Sequence, residues 1–263
     1  MNDTPQFDLI VARELAAFCH RAYVNGATGE VVYDASTETR CLVAELADVG
    51  KFTCIAFRGT ADVRNWLTDL EFPKIPLAHG VRVHHGFIKS TDAILPLLQA
   101  KLGHPADSPP LIITGHSLGG ALAALAAFEL QRAGYNVESV YTFASPRVGN
   151  AGWRDMYNQL LRDRTFRVAA VGDLVPLVPG IYTTFRDGYR HVGTEVLLSG
   201  SELLLEPSHL IEMIKDGWAA YWAFRSADWD FILKKHSITG DYLASLESII
   251  TATGIQATEL RKG

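Results

Sequence analysis

Apolar and polar positions along the chain alternate in ways that predict strands and helices in turn. Between residues 8 and 23 apolar side chains recur every three or four positions, which predicts an amphipathic helix. Short β-branched and aromatic runs predict strands at 30–33, 40–46, 52–57, 111–114, 139–143, 165–171 and 190–198. A further helix is predicted at 92–102, and the pattern from Ser201 onward is mostly helical. Strands that alternate with helices indicate a mostly parallel sheet covered by helices.

Composition and charge narrow the class of protein. The chain has 263 residues, of which 48% are hydrophobic and 20% charged, as is typical of a soluble globular protein, and we expect a single domain over residues 1–263. The formal net charge is −5, and no run of lysine or arginine exceeds two residues, which argues against a nucleic-acid partner. The apolar stretch at residues 118–128 is too short to cross a bilayer, so no transmembrane segment is expected.

The N-terminus and the cysteines bear on location and on metal binding. Asp3 and Asp8 stand where a signal peptide would have basic residues, which predicts a cytoplasmic protein; a mature fragment, or export without a leader, would make it secreted. Cys19, Cys41 and Cys54 lack the spacing of a metal site. Cys41 and Cys54 lie in neighbouring predicted strands and could pair, but free buried thiols are favoured. No metal or cofactor is expected.

The segment with the strongest chemical signal is Gly115-His116-Ser117-Leu118-Gly119. An apolar strand precedes it and an alanine-rich helix follows, which is the setting of a G-x-S-x-G nucleophile elbow. Glycines flanking a tight turn let the strand and the helix approach closely. The helix N-terminus then offers backbone N–H groups to developing negative charge. Ser117 is therefore the candidate nucleophile.

A serine nucleophile needs a histidine to accept its proton. Three histidines follow Ser117 in the chain, and in this kind of site the histidine comes last. His191 lies inside a strand-like run, His209 opens a helical segment, and His236 lies near the end of the chain before a predicted helix. His236 is favoured, and His209 is the alternative.

The acid that orients the histidine is expected after a later strand. Asp173 follows the predicted strand at 165–171 through one glycine, so its carboxylate would face the same sheet edge as the elbow. Turn capping is the other common role of an aspartate after glycine. Asp173 is favoured as the acid, with Asp187 and Asp228 as alternatives.

Two N–H donors must face the oxyanion of the tetrahedral intermediate. One is expected from Leu118, the residue after the nucleophile. The second is expected from Thr60, because Phe57-Arg58-Gly59-Thr60 ends a predicted strand and Gly59 permits close approach. Asp69 is a plausible partner for the Thr60 hydroxyl.

Six segments taken in order resemble the class 3 lipases, the family of the fungal extracellular triacylglycerol lipases. They are Phe57-Arg58-Gly59-Thr60, Asn65-Trp66-Leu67-Thr68-Asp69-Leu70, Val83-His84-His85-Gly86-Phe87, the elbow with Gly120-Ala121-Leu122, Tyr141-Thr142-Phe143-Ala144-Ser145-Pro146-Arg147-Val148-Gly149-Asn150, and Asp173-Leu174-Val175-Pro176. The resemblance implies an α/β-hydrolase fold with Ser117, Asp173 and His236 as the triad. It also implies Thr60 and Leu118 as oxyanion donors and Asp69 as the anchor of the Thr60 hydroxyl.

In the resembling lipases the segment after the oxyanion residue is a helical lid, here expected at residues 60–76. Apolar side chains recur at helical spacing in this segment, at Val63, Trp66, Leu67 and Leu70. Such a helix would cover the site in water and turn its apolar face to lipid; the alternative is a fixed surface helix. An aromatic cluster before His236 comprises Trp218, Tyr221, Trp222, Phe224, Trp229 and Phe231. Ordinary helix packing is the favoured interpretation of this cluster, and an acyl-chain pocket or a membrane-facing wall is the alternative.

Together these features predict a serine carboxylester hydrolase, most similar to a lipase that hydrolyses acylglycerol esters through an acyl-enzyme. A phospholipase A1 or a feruloyl-type esterase on the same scaffold is the alternative within the enzymes. Outside the enzymes the alternative is a non-catalytic lipid-binding relative. The expected partner is a lipid ester, with a lipid–water interface as one possible site of action, and no oligomeric state is implied.

Overall fold

The computed structural model describes residues 6–46, 49, 51–60, 62–68, 73–78, 80–179, 188–206 and 228–255. Its strands are β1 Glu30–Asp34, β2 Thr39–Glu45, β3 Thr53–Phe57, β4 Lys74–Ala78, β5 Val81–His84, β6 Leu111–His116, β7 Val137–Phe143, β8 Thr165–Ala170, β9 Thr194–Ser199 and β10 Glu202–Leu205. Its α-helices are α1 Leu9–Arg21, α2 Val63–Thr68, α3 His85–Leu102, α4 Leu118–Arg132, α5 Ala151–Leu161, α6 Trp229–Lys235 and α7 Ala244–Thr253. A π-helical segment, Ile238–Leu243, leads into α7.

One sheet of eight strands organises the described residues, in the order β1-β2-β3-β6-β7-β8-β9-β10. The inner strands β3, β6, β7, β8 and β9 run parallel, and antiparallel strands add to both edges. The prediction of a mostly parallel sheet is confirmed. The expectation of a single domain over residues 1–263 stays a prediction.

Helices cover both faces of this sheet. Alternate residues of β6 enter different cores: Leu111 and Ile113 pack in one cluster with α3, α4 and α5, and Ile112 packs in the other with α1 and α7. Strands buried on both faces read as continuous apolar runs, which is why the central strands were predictable. The amphipathic first helix also forms as predicted, and Asp8 caps it by accepting N–H bonds from Ile10 and Val11 at 2.8 and 2.9 Å.

Three local predictions need correction, and two features of the fold were not predicted. The run from residue 202 was expected to be helical, but Glu202–Leu205 pairs antiparallel with β9 through a turn at Gly200, whose φ is +63°. The strand predicted at 190–198 is shorter and spans Thr194–Ser199. The helix predicted from residue 92 begins at His85, where the Nδ1 of His84 accepts the N–H of Phe87. The β4–β5 hairpin and α5 were not predicted.

The three cysteines are free and buried. Cys41 lies opposite Phe57 and Cys54 opposite Ala44, and the two side chains enter cores on opposite faces of the sheet. Pairing is excluded by that placement, and the favoured prediction of free thiols is confirmed. Burial raises the pKa of each thiol to about 12, so these cysteines are unreactive near neutral pH.

Candidate active site

Ser117 occupies a strained turn between β6 and α4. Its φ and ψ are 59° and −132°, a conformation that costs a non-glycine residue about 1–3 kcal/mol. The turn is held by backbone hydrogen bonds from the N–H of Ser117 to the carbonyl of Phe143 and from the N–H of Gly120 to the carbonyl of Ser117, both 2.9 Å. The surrounding structure therefore imposes the strain.

The glycines of the elbow permit contacts that no side chain would allow. A Cβ on Gly115 would lie 2.1 Å from the carbonyl oxygen of Gly119, and a Cβ on Gly119 would lie 2.1 Å from the carbonyl oxygen of Phe57. Heavy atoms cannot approach that closely without displacement of the backbone. The ends of β3 and β6 therefore meet the first turn of α4 backbone to backbone.

Asp173 and His236 form a buried pair. Asp173 follows β8 in a turn through Gly172, whose φ is +90°, and His236 caps the C-terminus of α6. The Nδ1 of His236 lies 3.1 and 3.0 Å from the two carboxylate oxygens of Asp173. Because an ionised carboxylate only accepts hydrogen bonds, Nδ1 carries a hydrogen and Nε2 of the neutral ring is left to accept a proton.

Tyr242 is a hydrogen-bond partner of Asp173 that the sequence analysis did not identify. Its hydroxyl donates to Oδ2 of Asp173 at 2.7 Å and accepts the N–H of Ala170 at 3.2 Å, while the N–H of Val175 donates to Oδ1 at 3.0 Å. Burial, followed by the charge of Asp173, raises the pKa of Tyr242 well above its ordinary value, so the hydroxyl keeps its proton and remains a donor. Tyr242 lies in the π-helical segment, 69 positions from Asp173 in the chain.

The two atoms expected to react are both buried, and neither has a hydrogen-bond partner in the part of the chain that the structure describes. They are Oγ of Ser117, whose residue is 0% exposed, and Nε2 of His236, whose residue is 2% exposed. Buried polar atoms are nearly always paired, so two orphans in one place indicate groups kept for a reaction. Catalytic hydrogen bonds often form or tighten only when substrate binds, which is compatible with the lack of a hydrogen bond between Ser117 and His236 in this conformation.

The predicted oxyanion donors lie beside the elbow. A Cβ built on Gly59 would stand 3.2 Å from Cβ of Ser117, so the backbone before Thr60 lies against the nucleophile. Leu118 is the first residue of α4, where backbone N–H groups have no partner within the helix. The Thr60 hydroxyl accepts the N–H of Asp62 at 3.3 Å. The predicted anchor, Asp69, lies outside the described residues.

Helix α2 forms only part of the predicted lid. It begins after Asp62, whose carboxylate accepts the N–H of Asn65 at 2.9 Å. Val63, Trp66 and Leu67 are half-buried, whereas Arg64 and Asn65 face solvent, so the predicted apolar face points inward. Leu70 lies outside the described residues. Residues 74–76 of the expected lid belong instead to β4, because they pair antiparallel with residues 82–84 of β5.

The inward face of α2 packs beside the catalytic pair. Leu67 lies against a small apolar cluster that includes Leu174, next to Asp173, and Ile232 of α6. The Arg64 guanidinium stands 5.1 Å from the ring centre of Trp229, in the first turn of α6. This helix therefore contacts both elements that carry the acid and the histidine.

The alternative acid Asp228 has a structural role, since it caps α6 by accepting the N–H of Phe231 at 3.0 Å. His209 and Asp187 lie outside the described residues, as do four members of the aromatic cluster, Trp218, Tyr221, Trp222 and Phe224. Of that cluster the structure describes Trp229, which is half-buried against Leu174 and Ile232, and Phe231, which is exposed. Within the described residues, no group of three or more His, Cys, Asp or Glu side chains is arranged to hold a metal ion.

The chain is similar to proteins of one known family. Residues 54–183 match the sequence model of "Lipase (class 3)". A secreted mono- and diacylglycerol lipase 1 from Fusarium solani is 34% identical over 157 residues, which are 57% of this chain and 44% of the relative. The chain spans about half the length of the curated relatives it matches first.

Two solved structures resemble the chain over most of its length. One is a triacylglycerol lipase whose catalytic centre is a serine protease triad, with a TM-score of 0.62 and 27% identity over 75% of this chain and 82% of the other. The second is a fungal lipase–inhibitor complex that served as a model for interfacial activation, with a TM-score of 0.62 and 26% identity over 80% and 86% of the two chains. The predicted α/β-hydrolase fold is confirmed.

Tyr242→Phe tests whether the hydroxyl that bonds Asp173 matters to the site. The substitution removes a buried donor to a carboxylate, and we expect a loss of about 1.5–3 kcal/mol in the free energy of unfolding. Because the acid then loses one of its fixed partners, phosphonylation of Ser117 by a fluorophosphonate should also slow by about tenfold. Denaturant titration and labelling kinetics measure the two effects, and an unchanged labelling rate would contradict a role for Tyr242 in the site.

Proposed function

We propose that this chain, which matches the class 3 lipase model over residues 54–183, is a serine carboxylester hydrolase acting on acylglycerol esters. The observation that carries this proposal is the buried Asp173–His236 pair next to the strained elbow, where Oγ of Ser117 and Nε2 of His236 have no hydrogen-bond partner among the described residues. A serine, a histidine and an acid in this relation support acyl transfer.

In the proposed reaction Oγ of Ser117 attacks the ester carbonyl while its proton passes to Nε2 of His236. The carbonyl π bond opens to an oxyanion, which re-forms the carbonyl as the bond to the alcohol breaks. His236 gives its proton to the departing alcohol, leaving an acyl-serine. Water then attacks the acyl carbon while its proton passes to His236, and the bond from the acyl carbon to Oγ breaks as His236 returns that proton to Oγ, which releases the acid and free Ser117. Asp173 orients the ring through Nδ1 and stabilises the imidazolium.

We assign oxyanion stabilisation to the backbone N–H groups of Thr60 and Leu118. The close approach of Gly59 to Ser117 and the position of Leu118 at the start of α4 support this assignment. The Thr60 hydroxyl would add a third donor when Asp69 accepts from it.

Access to Ser117 requires a movement of its cover, and we propose that α2 acts as the lid. Ser117 is 0% exposed, so an ester cannot reach Oγ in this conformation. The inward face of α2, with Val63, Trp66 and Leu67, is apolar and would become exposed when the helix moves. A lipid surface would compensate for that exposure at about 25 cal/mol per Å² of apolar area. This supports lipid esters over soluble phenolic esters.

The relatives named as secreted mono- and diacylglycerol lipases support acylglycerols as substrates and the secreted alternative over the predicted cytoplasmic location. Among the described residues no helix has the length and apolarity needed to cross a bilayer. A non-catalytic lipid-binding role is disfavoured because the acid, the histidine and the serine are all present.

Ser117→Ala tests the nucleophile. Loss of Oγ should reduce hydrolysis of a nitrophenyl ester by at least about 10³-fold, because only binding and the oxyanion donors remain. Ser108→Ala, which changes a serine in the loop before β6, is the matched control and should retain activity. Circular dichroism checks that both variants fold, and retained turnover in folded Ser117→Ala would refute the mechanism.

The proposed lid predicts that the rate depends on an interface. As the concentration of a short-chain triglyceride passes its solubility limit, the rate should jump. Leu67→Ala weakens the contact of α2 with Leu174 and Ile232 and should raise the rate on dissolved substrate several-fold, so that the jump becomes smaller. Leu160→Ala, at an exposed position on α5, is the control. Saturation below the solubility limit with no jump would indicate an esterase instead.

A further inference from the structure

His116, the residue before the nucleophile, contacts His236, the proposed general base. Its side chain is buried, and its Nε2 lies 2.8 Å from the backbone carbonyl oxygen of His236. The centres of the two imidazole rings are 4.6 Å apart. His236 is thus held at two points, at ring Nδ1 by Asp173 and at its carbonyl by His116.

Tyr23 extends this contact to the other side of the elbow. Its hydroxyl lies 3.0 Å from Nδ1 of His116 and accepts the backbone N–H of Gly59 at 3.1 Å. Gly59 precedes Thr60, the proposed oxyanion donor. A Cβ on Gly59 would fall 2.3 Å from the Tyr23 hydroxyl, so only glycine lets the loop reach this oxygen.

The chemistry of the groups fixes the direction of every hydrogen bond. A carbonyl oxygen only accepts, so Nε2 of His116 must carry a hydrogen. Burial, followed by the proximity of His236, lowers the pKa of His116 well below its ordinary value, which keeps the ring neutral and makes Nδ1 an acceptor. The single hydroxyl hydrogen of Tyr23 therefore points to Nδ1 at 3.0 Å rather than to the backbone carbonyl of His116, which lies farther away at 3.5 Å. The order is Gly59 N–H to Tyr23, Tyr23 O–H to His116, and His116 N–H to the carbonyl of His236.

We propose that Tyr23 and His116 are positioning residues that couple the oxyanion loop to the general base across Ser117. This inference rests on the proposed hydrolase function. Neither side chain needs to touch substrate: the three consecutive hydrogen bonds, which we call the Tyr23–His116 relay, fix the backbone of Gly59 relative to the backbone of His236. The N–H donors for the oxyanion and the nitrogen that accepts the proton thereby keep fixed positions relative to each other.

Loss of the relay and loss of ordinary core packing should change different measured quantities. Packing defects lower stability and affect folding in general. Loss of the relay should instead lower kcat while KM stays near its wild-type value, because substrate binding is intact and the reacting groups are misplaced.

Tyr23→Phe removes the hydroxyl and keeps the ring. We expect kcat for a soluble nitrophenyl ester to fall about 10- to 100-fold, the loss expected when reacting groups are displaced by about 1 Å, with KM changed less than about twofold. Tyr157→Phe is the matched control, because it removes a buried hydroxyl that bonds Thr165 at 2.8 Å, and it should leave kcat unchanged. Equal kcat values for the two folded variants would overturn the proposal.

Two substitutions of His116 test the direction of the relay. His116→Gln keeps an N–H donor for the carbonyl of His236 and should retain more activity than His116→Leu, which has none. Because Tyr23 acts through His116, Tyr23→Phe should add less than about twofold to the loss in the His116→Leu background. Equal loss in the Gln and Leu variants, or additive losses in the double variant, would contradict the relay.

Nitrogen NMR of the wild-type protein gives a readout independent of turnover. The relay requires His116 to be neutral at pH 7 with its hydrogen on Nε2, and either the Nδ1–H tautomer or an imidazolium would overturn it. A wild-type protein that hydrolyses no ester would overturn the proposed function instead, and the tautomer of His116 would still decide the relay.

Discussion

The site depends on the close backbone approach of β3, β6 and α4 at Ser117. A Cβ on Gly115 would lie 2.1 Å from the carbonyl oxygen of Gly119, and a Cβ on Gly119 would lie 2.1 Å from that of Phe57, so both positions require glycine. That approach forces Ser117 into its unusual backbone conformation and places the end of β3 next to the first N–H groups of α4. One packing constraint thus sets the position of both the nucleophile and the proposed oxyanion donors. The parallel order of the inner strands then places Asp173, after β8, at the same sheet edge.

The supporting carboxylate of Asp173 and the two atoms expected to react differ in whether they have hydrogen-bond partners. Asp173 is 2% exposed and receives bonds from His236, Tyr242 and the N–H of Val175, so its buried charge is compensated on both oxygens. Within the part of the chain that the structure describes, Ser117 Oγ and His236 Nε2 have no hydrogen-bond partner. An unpaired buried polar group costs about 1–3 kcal/mol, which the fold bears at the positions where chemistry requires free atoms.

The parts of the site that follow from local sequence could be predicted, and those that depend on long-range contacts could not. The elbow and Asp173 each follow an apolar strand, and the chain order of such sites pointed to His236. Tyr23, His116 and Tyr242 carry no local signal, because their partners are 36 to 120 residues away. Glu202–Leu205 was misread because a leucine-rich run has no period of its own, and pairing with β9 decides its structure. Helix α2 was predictable from its apolar spacing, whereas the strand at residues 74–76 of the same segment was not.

The proposed chemistry requires Ser117 to become accessible, and the fold ties that access to the catalytic pair. The inward apolar face of α2 packs on the elements that carry Asp173 and His236. The most direct measurement is peptide mass spectrometry of the protein after reaction with a fluorophosphonate, with and without a triglyceride emulsion. The account predicts a single adduct, on Ser117, that forms faster when the emulsion is present. An adduct on a different residue, or none on a protein that hydrolyses esters, would contradict it.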